Sequence, residues 1–295
     1  MSRKLRLASA VTLFLPILLT GCSLFPTTRK LPVPQAPLIT QTATPEELVT
    51  RLNERWQSLN TLTATVDIQA SVIKTKEGVA KDYPSLHGHI LMRKPSMLRV
   101  LGQLYGVKAF DMASDGKDFT LSIPTLKKAM KGSNSLKKKS GNALENLRPG
   151  FFLDAMVVRG LDPSEEYSVI ADTVTIEDAA RKHLYSVPEY VLNIERRKPG
   201  SQQNSMVRVV YFHRDDLQPY QQDIYDEDGN KETQVIYDAY KNFDSSTYPS
   251  KITIKRPLEE IQVILTVEAV TENQKLDDSQ FVIKLPDDTQ IQNLE

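Results

Sequence analysis

Residues 62–72 read Leu-Thr-Ala-Thr-Val-Asp-Ile-Gln-Ala-Ser-Val, so apolar and polar side chains alternate at every position. A period of two predicts a β-strand with one face in an apolar interior and the other in water. We expect the apolar face to lie on the concave side of a sheet, where Ala64 and Ala70 leave room beside their larger neighbours, so that it either lines a cavity or forms part of a packed core. That face consists of Leu62, Ala64, Val66, Ile68, Ala70 and Val72.

Further strand candidates with weaker alternation follow along the chain. They lie at 86–93, 97–102, 107–113, 117–123, 166–174, 189–197, 206–214, 219–226, 232–240, 250–256 and 260–270. Asp115-Gly116 and Asp228-Gly229-Asn230 fall between strands and are typical of turns. Successive strands with short turns and few helices predict a mainly β protein built on a large curved antiparallel sheet.

Helical patterns are few. Thr44-Pro45-Glu46-Glu47 forms a capping box with proline at the first helical position. Apolar residues then recur at helical spacing, which predicts an amphipathic helix to about Asn60. Residues 142–147 would add a turn or two, and 151–158 is a short, very apolar run. We expect four aromatic residues in the core, namely Trp56, Tyr190, Tyr211 and Phe212.

Composition narrows the class of protein. The chain has 295 residues, which suffices for one or two domains with a real core. Its hydrophobic content of 40% argues against intrinsic disorder. A single cysteine excludes an internal disulfide, a cysteine-rich zinc site and a cysteine-ligated iron–sulfur cluster. Because 37 Lys and Arg balance 37 Asp and Glu, we expect no nucleic-acid partner.

The N-terminus has the pattern of a secretory signal. Residues 1–6 are cationic, and 7–19 form an apolar run that is shorter than the ~20 residues a membrane span needs. Leu19-Thr20-Gly21-Cys22 resembles the bacterial lipobox. The resemblance implies cleavage between Gly21 and Cys22 and acylation of the Cys22 thiol, so that 1–21 is a lipoprotein signal peptide. The alternative is an ordinary secretory peptide with a chance cysteine.

The residues after the cysteine predict where the protein sits. In Gram-negative lipoproteins an Asp after the cysteine resembles an inner-membrane retention signal, whereas this chain has Ser23. We therefore expect a lipid anchor in the cell outer membrane, facing the periplasm. Residues 22–44 are rich in proline and predict an extended, lipidated tether, with packing of part of it on the folded body as the alternative. The folded body is then expected at 45–295.

Gly88-His89-Ile90-Leu91-Met92-Arg93-Lys94-Pro95-Ser96-Met97-Leu98-Arg99 resembles a stretch of the LolA/LolB superfamily of lipoprotein carriers. The family pattern there is Gly-x-Ile-x-Leu-x-[Lys/Arg]-x-Pro-x-x-x-Arg. Residues 115–124 are similar to the next hairpin of that family, 59–62 to its start, and 249–252 and 281–286 to its closing strands. The resemblance implies an open half-barrel, with a few short helices as a lid and an apolar cavity between them that holds acyl chains.

Within this superfamily, LolA is a soluble periplasmic shuttle and LolB is an outer-membrane lipoprotein that receives its cargo. Because Cys22 implies a lipid anchor, this chain is more similar to LolB than to LolA. LolB also carries a protruding loop with an exposed apolar residue in a Gly-Pro-Leu-Gly context. Here Gly102-Gln103-Leu104-Tyr105-Gly106 lies at that place, with Gln for Pro and Tyr105 inserted. The resemblance implies that Leu104 and Tyr105 meet the membrane or the cargo.

The implied partners are acyl lipid or lipoprotein cargo, the outer-membrane lipid bilayer and a periplasmic carrier protein. The body is longer than that of LolB, so two alternative functions remain. One is a general lipid-binding lipoprotein of the same fold, and the other is a structural or assembly lipoprotein that binds a protein partner. No His-Glu-x-x-His, Gly-x-Ser-x-Gly or phosphate-loop motif occurs, and we assign no catalytic residue and no cofactor. An enzyme assembled from scattered residues is the least favoured alternative.

Two further patterns stand out. Six lysines without an intervening acid predict an exposed loop at 127–139, either simply solvated or in contact with anionic headgroups. They are Lys127, Lys128, Lys131, Lys137, Lys138 and Lys139. His87 and His89 share one face of a strand and would suit a metal, but with no third ligand nearby we expect none.

Overall fold

The computed structural model describes residues 40–74, 76–134, 148–178, 183–244 and 246–294. Gly21, Cys22, the tether up to residue 39, the lysines at 137–139 and the predicted turn at 142–147 lie outside the described residues. The chain divides into two compact units, one of 1–35 with 175–186 and one of 36–174 with 187–295. Of the smaller unit, the described residues are strand ends at 175–178 and 183–186. Every site described below lies within the larger unit.

The described part is mainly β, with 58% strand and two α-helices. The helices are α1 at Pro45–Ser58 and α2 at Pro149–Met156, and short 3₁₀ turns lie at Pro124–Leu126 and Asp278–Phe281. The strands are β1 Thr61–Lys74, β2 Val79–Asp82, β3 Leu86–Arg93, β4 Met97–Leu104, β5 Val107–Ser114, β6 Asp118–Ile123, β7 Lys128–Ser133, β8 Glu165–Asp178, β9 His183–Arg197, β10 Asn204–His213, β11 Pro219–Tyr225, β12 Lys231–Phe243, β13 Ser246–Arg256, β14 Ile261–Glu272 and β15 Gln290–Asn293.

The strands form one open sheet in the order β15-β7-β6-β5-β4-β3-β1-β14-β13-β12-β11-β10-β9-β8, with β2 also pairing β1. Only the pairing of β15 with β7 is parallel among the registers described. The two ends of the sheet do not pair, so it curves without closing into a barrel. The predicted fold class is confirmed. β1 and β14 pair at the centre, from Leu62 opposite Glu272 to Val72 opposite Ile261, and this seam joins the two halves of the chain.

β1 has the amphipathic character that its alternation predicts. Leu62, Ala64 and Val66 are completely buried, and Ile68 is 4% exposed. The intervening Asp67 is only half-buried, on the opposite face. Towards the end of the strand the burial weakens, so that Ala70 and Val72 are half-buried.

Both helices pack their apolar faces into the same core cluster as the inner face of β1. At the start of α1, Thr44 Oγ1 accepts from the Glu47 backbone N–H at 3.2 Å, and the Thr44 N–H donates to Glu47 Oε2 at 2.7 Å. The predicted capping box is therefore present, and Leu48 and Leu52 are the buried residues of α1. α2 begins two residues before the predicted apolar run and buries Phe151 and Phe152.

Three strands are absent from the predicted set. β2 and β15 are exposed at every position, so neither shows an apolar face that would mark it as a strand. The prediction of a loop is wrong for Lys128–Ser133, which is β7. Its lysines face water while Ala129 and Met130 are buried, and Lys127, just before it, pairs with Asp288 at 2.6 Å.

The last residues of the predicted tether lie against the body. Gln41 Nε2 donates to the Asp215 carbonyl at 2.7 Å, and the Ala43 N–H donates to the Tyr190 hydroxyl at 3.2 Å. Tyr190 and Phe212 are buried, whereas Trp56 and Tyr211 are only half-buried. In the part of the chain that the structure describes, no helix combines the length and apolarity that crossing a bilayer requires.

Candidate functional site

A cavity of about 390 Å³ lies between α1, the end of α2 and strands β10–β13. Its size is within the range of small-molecule sites, roughly 300–1,000 Å³. Leu52 covers it from α1, Met156 and Val158 bound it at the end of α2, and Phe212 lies on β10. Other lining residues include Arg51, Glu54, Arg55, Ser58, Val157, Leu217, Tyr237, Tyr240, Thr247 and Tyr248.

Three tyrosines form a wall of the cavity, and each hydroxyl is bound by the protein. Tyr237 Oη accepts from Gln222 Nε2 at 2.6 Å. Tyr248 Oη donates to the Met156 carbonyl at 2.5 Å, and Tyr240 Oη donates to a neighbouring backbone carbonyl at 2.8 Å. Because these polar ends are already satisfied, the surface that the tyrosines offer to a ligand is the apolar ring.

The wall is also uncharged over the physiological range. Burial raises the pKa of the Tyr237 hydroxyl well above its usual value, and burial likewise raises the pKa of Tyr248. The pKa of Tyr240 is raised by burial first and by the Asp216 carboxylate second. A neutral wall suits a neutral, apolar part of a ligand, since burying a charge against it would be costly.

α1 is held over the cavity by polar contacts of its C-terminal half. The Arg55 guanidinium donates two hydrogen bonds to the carboxylate of Glu272, one of them at 2.7 Å, and these chiefly raise the pKa of Arg55. Asn53 Oδ1 accepts from the Leu161 N–H at 2.9 Å. Lys94 donates to the carbonyl of Trp56 and lies 4.4 Å from its ring centroid. Helix α1 is therefore linked to the turn after β3, to β14 and to the segment after α2.

The rim of the cavity is charged, with Arg51 and Glu54 exposed on α1. The lining also contains two hydroxyls that are not tyrosines, but both are engaged with the protein. Ser58 Oγ donates to the Arg55 carbonyl at 3.0 Å, and Thr247 Oγ1 donates to Asn242 Oδ1 at 2.8 Å. Among the described residues, no hydrogen bond joins either hydroxyl to a histidine or carboxylate that would activate it as a nucleophile. The cavity therefore combines an apolar wall with a charged rim.

The predicted lining residues lie elsewhere in the core. Leu62, Ala64, Val66 and Ile68 belong to the core cluster, with Ala70 packed against it, and none of the six predicted residues lines this cavity. Their contact with an acyl chain stays a prediction. The tyrosine wall was missed because it depends on register: Tyr240 pairs with Pro249, and the adjacent Lys241 pairs with Tyr248. In β12 the alternation of apolar and polar residues places Tyr237 on the inner face. This pattern is the sequence signal that could have predicted one residue of the wall.

The loop predicted to meet the membrane is a tight turn. Tyr105 and Gly106, with φ of 50° and 80°, connect β4 to β5, and Leu104 pairs with Val107. Positive φ at both central residues is the type I′ pattern that suits a two-residue hairpin. β4 therefore continues past its predicted end at Gly102. Tyr105 is 97% exposed and Val107 is 59% exposed, whereas Leu104 is half-buried. An aromatic ring thus projects into solvent at the tip.

No protein-family model matches this chain, and no curated protein matches it. Solved structures do match. A LolA superfamily protein from Nitrosomonas europaea is 13% identical with a TM-score of 0.50, covering 82% of this chain and 99% of its own. A DUF1329 family protein from Desulfovibrio piger is 12% identical with a TM-score of 0.50, covering 81% of this chain and 95% of its own. At these identities the likeness concerns the fold. Together with the open curved sheet and its helical lid, it shows that this chain has a LolA/LolB-like fold.

Proposed function

We propose that this chain is a lipoprotein that is anchored in the outer membrane, faces the periplasm and binds acyl chains of a lipid or lipoprotein. The observation that carries the proposal is the 390 Å³ cavity beneath α1, whose wall is apolar and neutral. A hydrocarbon chain gains free energy by leaving water for such a wall, at about 0.8 kcal/mol for each buried CH₂ group. The charged residues at the rim then remain in water beside a polar headgroup.

The lipobox supports the anchor. Cys22 is the only cysteine of the chain, and acylation there would tie the body to the membrane through the tether. Cys22→Ser is therefore expected either to leave the protein unprocessed or to release it from the membrane fraction, and in both cases to abolish labelling by palmitate. Label retained in the variant would contradict the lipobox interpretation. A conservative change at a tether residue farther from the cysteine, Thr28→Ser, is the control and should leave both unchanged.

The hairpin tip supports a role in transfer. An exposed aromatic ring beside exposed Val107 is unfavourable in water unless it meets an apolar phase. We propose that Tyr105, with the half-buried Leu104, touches the bilayer or the incoming acyl chains, and that cargo arrives from a periplasmic carrier protein. Leu104→Glu combined with Tyr105→Ser should leave cavity loading unchanged and slow transfer to outer-membrane vesicles. Normal transfer in the folded double variant would remove this loop from the mechanism.

A structural or assembly role is the second candidate. β8 is an end strand of the sheet, and it exposes Tyr167 and Ile170 by 40% and 55%. A sheet edge of this kind can pair with a strand of a protein partner. The partner would then occupy the edge while the cavity stays empty.

One experiment separates the two candidates. The full chain is purified from membranes, and its non-covalent contents are measured by native mass spectrometry and by lipid extraction. Co-purifying acyl lipid that is lost when the cavity is filled by Val158→Phe supports carriage. An empty cavity together with a stoichiometric protein partner contradicts carriage and supports the structural role.

A further inference from the structure

Three side chains of types that can ligate a metal ion lie together on the outer face of the sheet, away from the cavity. They are Asp67 on β1, His87 on β3 and Glu268 on β14, three adjacent strands. One ligand atom from each residue lies within 4.8 Å of the other two. The sequence suggested His87 and His89 as a pair without a third ligand nearby, whereas strand pairing places the two carboxylates of Asp67 and Glu268 beside His87, and His89 is not part of this group.

The backbone explains how the three side chains converge. Asp67 and His87 are directly opposite each other in the β1–β3 register. On the other side of β1, Val66 pairs with Val267 and Thr65 pairs with Ala269, so Glu268 is the extra residue of a β-bulge. As a result Glu268 and Ala269 are both exposed although they are consecutive. A bulge re-aims a side chain, and here Glu268 comes close to the histidine two strands away.

The distances suit a shared ion better than direct hydrogen bonds. His87 Nδ1 lies 3.8 Å from Asp67 Oδ1 and 3.8 Å from Glu268 Oε2. Both separations exceed the ~3.2 Å limit of a good N–H···O bond. Ligand atoms at ~2.0–2.2 Å from a tetrahedral ion stand about 3.3–3.6 Å apart, so closure needs only small side-chain adjustments. Within the described residues, none of the three side chains makes a hydrogen bond that would compete.

A second carboxylate on the same face, Asp238, shows how a negative charge there is normally balanced. It lies in the same row of paired residues as Asp67, which runs across the sheet through Thr266 and Lys251. At the far end of this row, Asp238 is neutralised by Lys251 Nζ at 2.7 Å. At the near end, two carboxylates converge on one imidazole, with no lysine or arginine ion-paired to either within the described ranges. A bound cation would supply the missing positive charge.

We propose that Asp67, His87 and Glu268 bind a divalent transition-metal ion of the zinc class. One imidazole and two carboxylates form a mixed nitrogen and oxygen set that suits Zn²⁺, whereas Mg²⁺ and Ca²⁺ prefer oxygen ligands throughout. Three protein ligands leave a fourth position for water or for a donor atom of a bound molecule. The ion would join β3, β1 and β14 across the seam between the two halves of the chain. The site is independent of the proposed lipid binding.

The test uses the full chain without a histidine tag, stripped by a chelator and titrated with Zn²⁺ and separately with Mg²⁺ by calorimetry. We expect one Zn²⁺ per chain, no comparable binding of Mg²⁺, and a melting temperature that rises with Zn²⁺ and returns on chelation. His87→Ala, Asp67→Asn and Glu268→Gln should each weaken Zn²⁺ binding by at least about tenfold. Asp238→Asn removes the same charge from the same face and should leave the affinity unchanged.

The proposal would be overturned if the stripped chain did not bind Zn²⁺ or bound Mg²⁺ equally well. It would also be overturned if the three ligand variants bound Zn²⁺ as tightly as the parent. A loss of affinity in Asp238→Asn equal to that of Asp67→Asn would also overturn it, since only general surface charge would then be involved. Melting curves of the metal-free variants verify folding, and half-exposed side chains such as these are expected to tolerate the changes.

Discussion

The inner face of β1 and the tyrosine wall on β12 and β13 belong to one sheet, yet only the wall borders the cavity beneath α1. On β1, Leu62, Ala64 and Val66 are completely buried among other aliphatic side chains. On the wall, Tyr237 and Tyr248 are held by hydrogen bonds at their hydroxyls. Aliphatic side chains can close on one another, whereas a rigid ring anchored at its far end cannot move into a gap. Anchoring of the polar ends, rather than the size of side chains, distinguishes the two regions.

The largest expected difference between them comes from truncating one leucine in each. Leu62→Ala removes a completely buried side chain from the packed face and should lower the free energy of unfolding by about 2–5 kcal/mol. Leu52→Ala should cost less, because the Leu52 side chain already borders empty space. Urea denaturation at constant m-value measures both changes. A larger loss at Leu52 would show that the cavity region is as tightly packed as β1.

Enlarging one valine in each region should sharpen the comparison. Val66→Phe overpacks the closed face and should cost about 1–3 kcal/mol. Val158→Phe places the same extra volume beside the cavity, so stability should change less while the amount of co-purifying acyl lipid falls. Thermal melting and lipid extraction of both variants measure the two effects. Equal destabilisation by the two substitutions would contradict a genuine cavity beneath α1.

Removing one hydroxyl should have a smaller effect that depends on pH. Tyr248→Phe loses the bond to the Met156 carbonyl and should cost about 0.5–1.5 kcal/mol at neutral pH. Because burial raises the pKa of Tyr248 in the folded state, that tyrosine contributes stability below its unfolded pKa of about 10, and this contribution is lost as pH rises further. The variant should therefore lose less stability than the parent above that pH.

Denaturation at neutral and alkaline pH measures this difference. Tyr105→Phe is the matched control, since the Tyr105 side chain is 97% exposed. If Tyr248→Phe lost as much stability as the parent on going from neutral to alkaline pH, the proposed link between Tyr248 and the pH dependence would be contradicted.

The smallest effect on stability is expected at the hairpin tip, which belongs neither to the inner face of β1 nor to the tyrosine wall. Tyr105 has a φ of 50°, a conformation that asparagine tolerates better, and Asn-Gly is the preferred pair of a type I′ turn. Tyr105→Asn should therefore leave the free energy of unfolding within about 0.5 kcal/mol of the parent, or raise it slightly. A clear loss of stability would show that the Tyr105 ring packs on the body.

Much of the architecture followed from local patterns. The alternation at 62–72 predicted β1 and its buried face, and the capping box predicted the start of α1. Turn residues separated strands correctly, with Gly116 and Gly229 at φ of 99° and 84°. Lysines concealed β7, because its two buried residues are too few to produce a recognisable period. The exposed β2 and β15 carry no apolar signal at all.

By itself, the sequence determined the strands that have an alternating apolar face, the side of each that turns inward and several of the turns between them, because these depend on neighbouring residues. The tertiary structure alone decided which side chains meet. It placed Tyr237 and Tyr248 beneath α1, and it brought Asp67 and Glu268 to His87. The register of β12 against β13 sets the tyrosine wall, and Glu268 reaches His87 through the pairing of β1 with β14, which lie far apart in the chain, where a single-residue bulge suffices to re-aim it. Local periodicity specifies a face, but only register and packing specify a site.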